Sequence, residues 1–229
     1  MTSVRRAEED LVLPGARTGR EPERSLRPGP RRLTPEQVAS RQRERLLDGV
    51  ARTVAANGYT GARISDICRA AGVTRPVFYE LFSGKEDAVI AAFRGGTQTV
   101  VRAMQRAYEE AGGADDWPVA VRAGLRVLLS LLQQTPAFAT MAVEIESAGP
   151  AGRRARAELL ADFRRFFTDA PPGPAGVARA ELVDTVVGAV HAAVHRAVDE
   201  DRFTAADGRL PELLDVLVHV VVTPFTRCE

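Results

Sequence analysis

The stretch from Gly58 to Ala88, GYTGARISDICRAAGVTRPVFYELFSGKEDA, constrains the fold more than any other part of the chain. It spells two short helices and the start of a third, with a glycine turn between the first two. Ile64, Ile67, Cys68 and Ala71 recur at the i, i+3, i+4, i+7 spacing of a helix with one apolar stripe, which leaves Ser65, Asp66 and Arg69 for solvent. Gly72 falls one position past the last periodic residue, where a left-handed C-cap costs little for Gly alone, and Val73 follows as the apolar plug of the turn. Thr74 is the expected N-cap of the next helix. Pro76 lies in its first turn, where a missing N–H does no harm, and Phe78, Leu81 and Phe82 supply its buried face. Helix, short Gly-containing turn and helix is the helix-turn-helix arrangement, whose second helix enters the major groove of DNA. Arg75, Pro76, Val77 and Tyr79 are left facing outward.

The flanks fit the same reading. Thr34 caps a helix with Pro35 at its first position and Glu36 and Gln37 in its first turn, running to Asn57 and Gly58. Downstream, Ser83 caps a helix whose Glu86 and Asp87 suit the positive end of its dipole. On Gly58, Tyr59, Asp66, Ile67, Ala71, Gly72, Val73, Tyr79, Phe82, Lys85 and Glu86, the run resembles the DNA-binding domain of TetR-family transcriptional regulators. Arg43, Leu46, Leu47, Asp48, Val50 and Val54 extend the likeness to the family's first helix, so that it covers roughly Pro35 to Phe93. Beyond that the likeness is architectural only. Two departures bear on the operator sequence: Ala62 and Arg63 stand where the family usually has Thr or Ser, which removes an N-cap, and Pro76 stands where a small residue is common, which stiffens the tip of the reading helix.

The DNA-facing set expected from this resemblance is Arg63, Thr74, Arg75, Pro76, Val77, Tyr79 and Lys85. Arg75 suits a guanine edge and Val77 a thymine methyl. Tyr79 and Lys85 would hold phosphates, the role the equivalent Lys takes in TetR-like proteins. Lys85 is the single Lys among 31 Lys and Arg.

Charge supports the division without proving it. Residues 1–95 carry 17 Lys and Arg against 12 Asp and Glu, a balance of +5, while residues 96–229 carry 14 against 18, a balance of −4. A basic half suits phosphates. Three segments are expected: a disordered Arg- and Pro-rich tail at 1–33, the helix-turn-helix domain at 34–84, and a helical ligand-binding and dimerisation domain at 85–229. The tail holds eight Arg and four Pro, and it would lie on DNA phosphates, slip into the minor groove or remain a solvated extension. Gly95 and Gly96 would bend or hinge the helix that leaves the head.

After Ala114 the chain reads as five helices and no strand, near Trp117–Gln134, Pro136–Ala148, Ala151–Asp169, Pro174–Asp201 and Leu210–Phe225. The fold class is therefore all-α. Leu182, Val183, Val186, Val187, Val190, Val194 and Val198 on the fourth helix, with Leu210, Leu213, Leu214, Leu217, Val218, Val221 and Val222 on the fifth, form wide apolar faces that resemble the pair meeting its mate in a TetR-like dimer. Met104, Tyr108, Trp117, Phe138, Met141, Phe163, Phe167 and His191 are the candidate lining of a pocket for a small apolar or amphipathic ligand, each of them also explicable as core. Glu144 and Glu146 are either solvated or hold a cation or polar ligand group.

His191 and His195 stand four apart on one helix, which meets one requirement of a metal site, but no third ligand appears at a recognisable spacing, so no metal and no cofactor are expected. No Ser-His-Asp order, phosphate-binding Gly loop or catalytic Cys-His context points to an enzyme. Cys68 and Cys228 show no disulfide spacing, the N-terminus shows no apolar export signal, and a cytoplasmic protein with free thiols is expected. The resemblance implies a homodimer on a palindromic operator, repressing by default and released by the ligand. A ligand-independent or partner-controlled regulator, and a helical small-molecule carrier without DNA binding, are the alternatives.

Overall fold

The computed structural model describes residues 12–17, 34–203 and 209–226, with the side chain of Arg209 left aside. Every regular element among them is helical, as expected: α1 Pro35–Gly61, α2 Ile64–Ala71, α3 Arg75–Leu81, α4 Lys85–Glu110, α5 Trp117–Gln134, α6 Pro136–Val143, α7 Gly149–Asp162, α8 Arg179–Asp199 and α9 Arg209–Val222. The chain packs as two compact units, Met1–Gly96 with Ala137–Ala155, and Thr97–Pro136 with Arg156–Glu229. This differs from a division at 34–84 and 85–229. The first unit keeps the opening turns of α4 and takes back α6 and its sequel, because Phe138 lies on the backbone of Gly96 and Glu144 holds the Tyr59 N–H.

In the first unit, α1 begins with a full capping box: Gln37 N–H donates to Thr34 Oγ1 at 3.3 Å, and Thr34 N–H donates to Gln37 Oε1 at 3.0 Å. Its regular course ends where the sequence predicts, since Gly58 sits at φ 66°, ψ 166° and one further turn carries the chain to Gly61. Leu46, Val50, Ala51 and Val54 are buried on it. Gly49 is the close approach between α1 and α2, because a Cβ there would stand 2.7 Å from the Ile67 carbonyl oxygen and 3.0 Å from Ala71 N. Backbone cannot yield as a side-chain tip can. Gly49→Ala is therefore expected to cost about 1–3 kcal/mol by overpacking, read as a lowered urea midpoint with the slope unchanged.

The expected tail departs from expectation in one place. Val12–Arg17 is ordered, with Leu13 only 1% exposed and Pro14 buried. The remainder of 1–33 lies outside the described residues, as does Cys228. Cys68 is buried and unpaired by disulfide, and burial pushes its thiol pKa up, against the opposing charge of Arg75. α4 is helical throughout Lys85–Glu110, including the Gly95–Gly96 pair read as a bend or hinge. Gly96 serves close approach, since a Cβ on it would overlap the Phe138 ring.

In the second unit, Trp117 is the centre of an aromatic cluster. Its ring lies 5.4 Å from Phe225 and 6.1 Å from Phe167, and its Nε1–H donates to the Phe166 carbonyl at 2.8 Å. Arg122 of α5 pairs with Asp215 of α9, and Arg164 grips Asp184 of α8 with two bonds of 2.6 Å. The third and fourth of the helices expected after Ala114 end or begin otherwise than predicted. The stretch read as Ala151–Asp169 tightens into a 3-10 turn at Phe163–Phe167, and α8 starts at Arg179 because Pro171, Pro172, Pro174 and a left-handed Gly176 hold the chain in turns before it. No described helix is long and apolar enough to cross a membrane.

Candidate nucleic-acid interface

The turn before the reading helix is built as the sequence predicts. Gly72 adopts φ 63°, ψ 39°, its N–H turns back to α2, and Val73 N–H reaches the Cys68 carbonyl at 3.0 Å, the bond pattern of a left-handed C-cap. Phe78 is fully buried, with Tyr79 edge-on at 5.4 Å and Phe82 at 5.7 Å between ring centroids. These contacts anchor the inner face of α3. Its outer face then has no choice: Thr74, Arg75, Pro76 and Tyr79 are exposed, Tyr79 by 52%, and Val77 is half-buried beside them.

Thr74 occupies the N-cap position of α3, yet its side chain makes no capping bond, contrary to the sequence reading. Its hydroxyl is thus not spent on the helix. Arg63 is the N-cap residue of α2, also without a side-chain cap, and its side chain is exposed near the same end of the motif. The structure therefore brings six of the seven expected DNA-facing residues to the surface of the helix-turn-helix.

Lys85 is the seventh, and its placement is different. Its Nζ donates to the carbonyls of Tyr59 at 2.7 Å, Ala62 at 3.1 Å and Thr60 at 3.5 Å, and lies 4.4 Å above the Tyr59 ring. These are the carbonyls that the kink at Gly58 leaves at the negative end of α1, where an ammonium is favoured. Lys85 clasps the start of α4 to the end of α1. Its donors face protein carbonyls.

Glu144 supports the same corner. Its Oε2 accepts from Tyr59 N–H at 3.3 Å. Tyr59 itself is half-buried, and burial first, then the nearby Glu86 charge, raise its phenol above the usual range.

Of two arginines important to the turn, Arg45 was not singled out in the sequence and Arg43 was read only as part of the family likeness. Arg45 is buried and donates from Nε to the Ala71 carbonyl and from Nη2 to the Gly72 carbonyl, both at 2.8 Å. Arg43 stacks its guanidinium 4.6 Å from the Phe82 ring centre and reaches the Leu81 carbonyl at 3.5 Å. A signal for the first was present, because Arg45, Asp48, Gly49 and Thr53 interrupt a face of α1 that is otherwise apolar, and all four are buried.

The eight candidate pocket residues divide between the units. Phe138, 1% exposed, and Met141, fully buried, belong to the first; Met104, Tyr108, Trp117, Phe163, Phe167 and His191 belong to the second. Met104 and Phe167 are buried, Phe163 is half-buried with its ring 6.2 Å from Phe166, and the Tyr108 hydroxyl donates to Asp169 at 2.9 Å. Burial and the Asp169 carboxylate raise the Tyr108 phenol far above its usual pKa, so it stays protonated as a donor. His191 is half-buried with its ring 6.3 Å from that of His195, whose Nδ1 lies 3.0 Å from Asp199.

Residues 46–92 match the sequence model of the bacterial regulatory proteins of the tetR family. No curated protein matches the chain. Among solved structures the fold is similar to the transcriptional regulator FadR from Bacillus subtilis in complex with stearoyl-CoA, with a TM-score of 0.66 and 18% identity over 80% of this chain and 98% of that one. It is similar also to the fatty acid degradation regulator FadR from Bacillus halodurans, with a TM-score of 0.62 and 17% identity over 76% and 97% of the two chains. A TetR family transcription regulator from Marinobacter aquaeolei VT8 aligns with a TM-score of 0.57 and 16% identity over 81% and 97%. Likeness at such identities speaks for the fold.

Proposed function

We propose, from the match of residues 46–92 to the tetR-family model, that the chain is a TetR-like regulator that binds a palindromic operator as a homodimer and leaves it when a small amphipathic molecule binds its second unit. The observation that carries this reading is the exposed edge Thr74–Arg75–Pro76–Tyr79 on a helix whose opposite face is locked by Phe78 and the Gly72 turn. An exposed Arg and Tyr on a rigid helix end suit a base edge and a phosphate.

One reading head covers half of a symmetric site, so two copies are required. The half-exposed Leu182, Val190, Val194 and Val198 of α8, with Val216 of α9 at 55% exposure, support a helix-pair interface. The aromatic set around Trp117 and Tyr108 supports an apolar ligand with one polar end. Because a fold neighbour is a complex with stearoyl-CoA, a long-chain acyl thioester is the first ligand to try. Its differential affinity for the free and DNA-bound forms sets how far it shifts the equilibrium.

The test is a fluorescence-anisotropy titration of promoter-proximal DNA at two salt concentrations, with scrambled DNA as competitor and then with added stearoyl-CoA. Selective binding as two protomers, weakened by salt and by the acyl thioester, is the expected result. Binding no better than to scrambled DNA points to a helical carrier. Arg75→Ala should weaken the selective complex by about 1–3 kcal/mol and relax the choice at one base pair; an unchanged titration would remove Arg75 from the readout.

A further inference from the structure

Val12–Arg17 forms a turn of recognisable type. Ala16 N–H donates to the Leu13 carbonyl at 3.2 Å, Pro14 takes the second position and Gly15 the third at φ 93°, the arrangement of a type II turn. That turn is held by α1 at both of its central polar groups. Gly15 N–H donates to Asp48 Oδ1 at 2.7 Å, and the Gly15 carbonyl accepts from Arg52 Nε at 3.2 Å. Asp48 and Arg52 stand one helical turn apart, so together they form an acceptor and a donor spaced for one residue's backbone.

The space around Gly15 is closed. A Cβ added to it would stand 3.1 Å from the Ala51 Cβ and 3.2 Å from the Ala137 Cβ, in a backbone conformation that side chains disfavour. Leu13, at 1% exposed, anchors the turn, and Pro14 is buried beside it. A deep apolar anchor, a residue restricted to Gly and two side chains spent on that residue's backbone are the parts of a peptide-recognition site.

Neighbouring positions on this same stretch of α1 carry the helix-turn-helix. Arg45 holds the Ala71 and Gly72 carbonyls, and Gly49 admits α2 against the helix. We infer that the face formed by Asp48, Ala51 and Arg52 of α1 and Ala137 of α6 is a recognition site for a Leu-Pro-Gly turn, filled in cis by residues 12–17, and that its occupancy is needed for full operator affinity. The docked turn bridges α1 and the start of α6 within one packed unit. Emptying it uncovers an apolar pocket and takes a donor from the buried Asp48, which loosens the same two turns of α1 that carry the reading turn. The affinity claim rests on the operator binding proposed above; the docking does not.

The experiment uses the full chain, with Gly15→Val to eject the turn and Ala16→Val, at an exposed neighbour, as control. Hydrogen exchange of the residue-15 amide reads docking, and anisotropy on the operator reads affinity. Gly15→Val is expected to lose protection of that amide and to bind the operator about 5- to 150-fold more weakly, the usual span of coupling between sites, while Ala16→Val matches the parent in both. The milder Gly15→Ala, should the Val variant lose its helical circular dichroism, is expected to shift both readings in the same direction. A protected amide in Gly15→Ala, or a parent operator affinity once protection is lost, overturns the inference. Failure of the parent chain to select its operator overturns the regulator instead and is seen before any variant is made.

Discussion

Phe138→Ala is expected to lower stability by about 3–5 kcal/mol, the range for emptying a buried Phe site, and to leave ligand response unchanged in whatever fraction remains folded. The ring is 1% exposed and stands where a Cβ of Gly96 would be. Its removal leaves a hole lined partly by helix backbone, which cannot collapse as flexible side chains can. Phe138 is also next to Ala137, against which the Leu13–Ala16 turn is packed, so the loss should spread to that docking. Chemical denaturation with an unchanged slope is the measurement. A cost below about 1 kcal/mol, together with an altered response to ligand, would return Phe138 to the pocket in which the sequence reading had it.

Arg45→Leu is the second large effect, expected at about 2–4 kcal/mol with loss of selective operator binding. Two hydrogen bonds from a charged group disappear, and the carbonyls of Ala71 and Gly72 lose their partner in a partly buried place. Those carbonyls sit at the C-terminal end of α2, where a cation is favoured by the helix dipole. Leu keeps apolar volume, so the change isolates the polar loss from a cavity. Arg45→Lys should recover only part of it, because an ammonium cannot present the planar fork that reaches both carbonyls. Thermal unfolding and operator titration of both variants check this. Equal stabilities for Arg, Lys and Leu at position 45 would show that solvent satisfies the turn.

These expectations sort the residues in a way that spacing alone does not. Lys85 stands on the family's motif and points to phosphate by resemblance, and in the structure its donors face three carbonyls near the end of α1. Phe138 and Met141 share an aromatic and Met signature with Trp117 and Phe167, and they fall in a different unit. The difference is not written in any short window, because it depends on which helix returns to which. The Gly95–Gly96 pair illustrates the same limit: a glycine that bends a helix and one that admits a ring across it are identical in sequence.

What the sequence determined by itself was local. The capping box at Thr34, the kink at Gly58, the left-handed Gly72 and the buried stripe of α2 are settled by interactions within about four residues, and periodicity and turn chemistry record them directly. The outward face of α3 follows from the same rule, since Phe78 and Phe82 must be buried. Only the tertiary structure decided that Arg45 reaches Ala71, that Glu144 reaches Tyr59 and that Gly15 docks on Asp48, pairs 26, 85 and 33 residues apart. Such partners are chosen by whichever donor and acceptor the folded helices bring within 3 Å or so, and a charged or glycine residue has the same letter whether it meets water, DNA or a distant carbonyl.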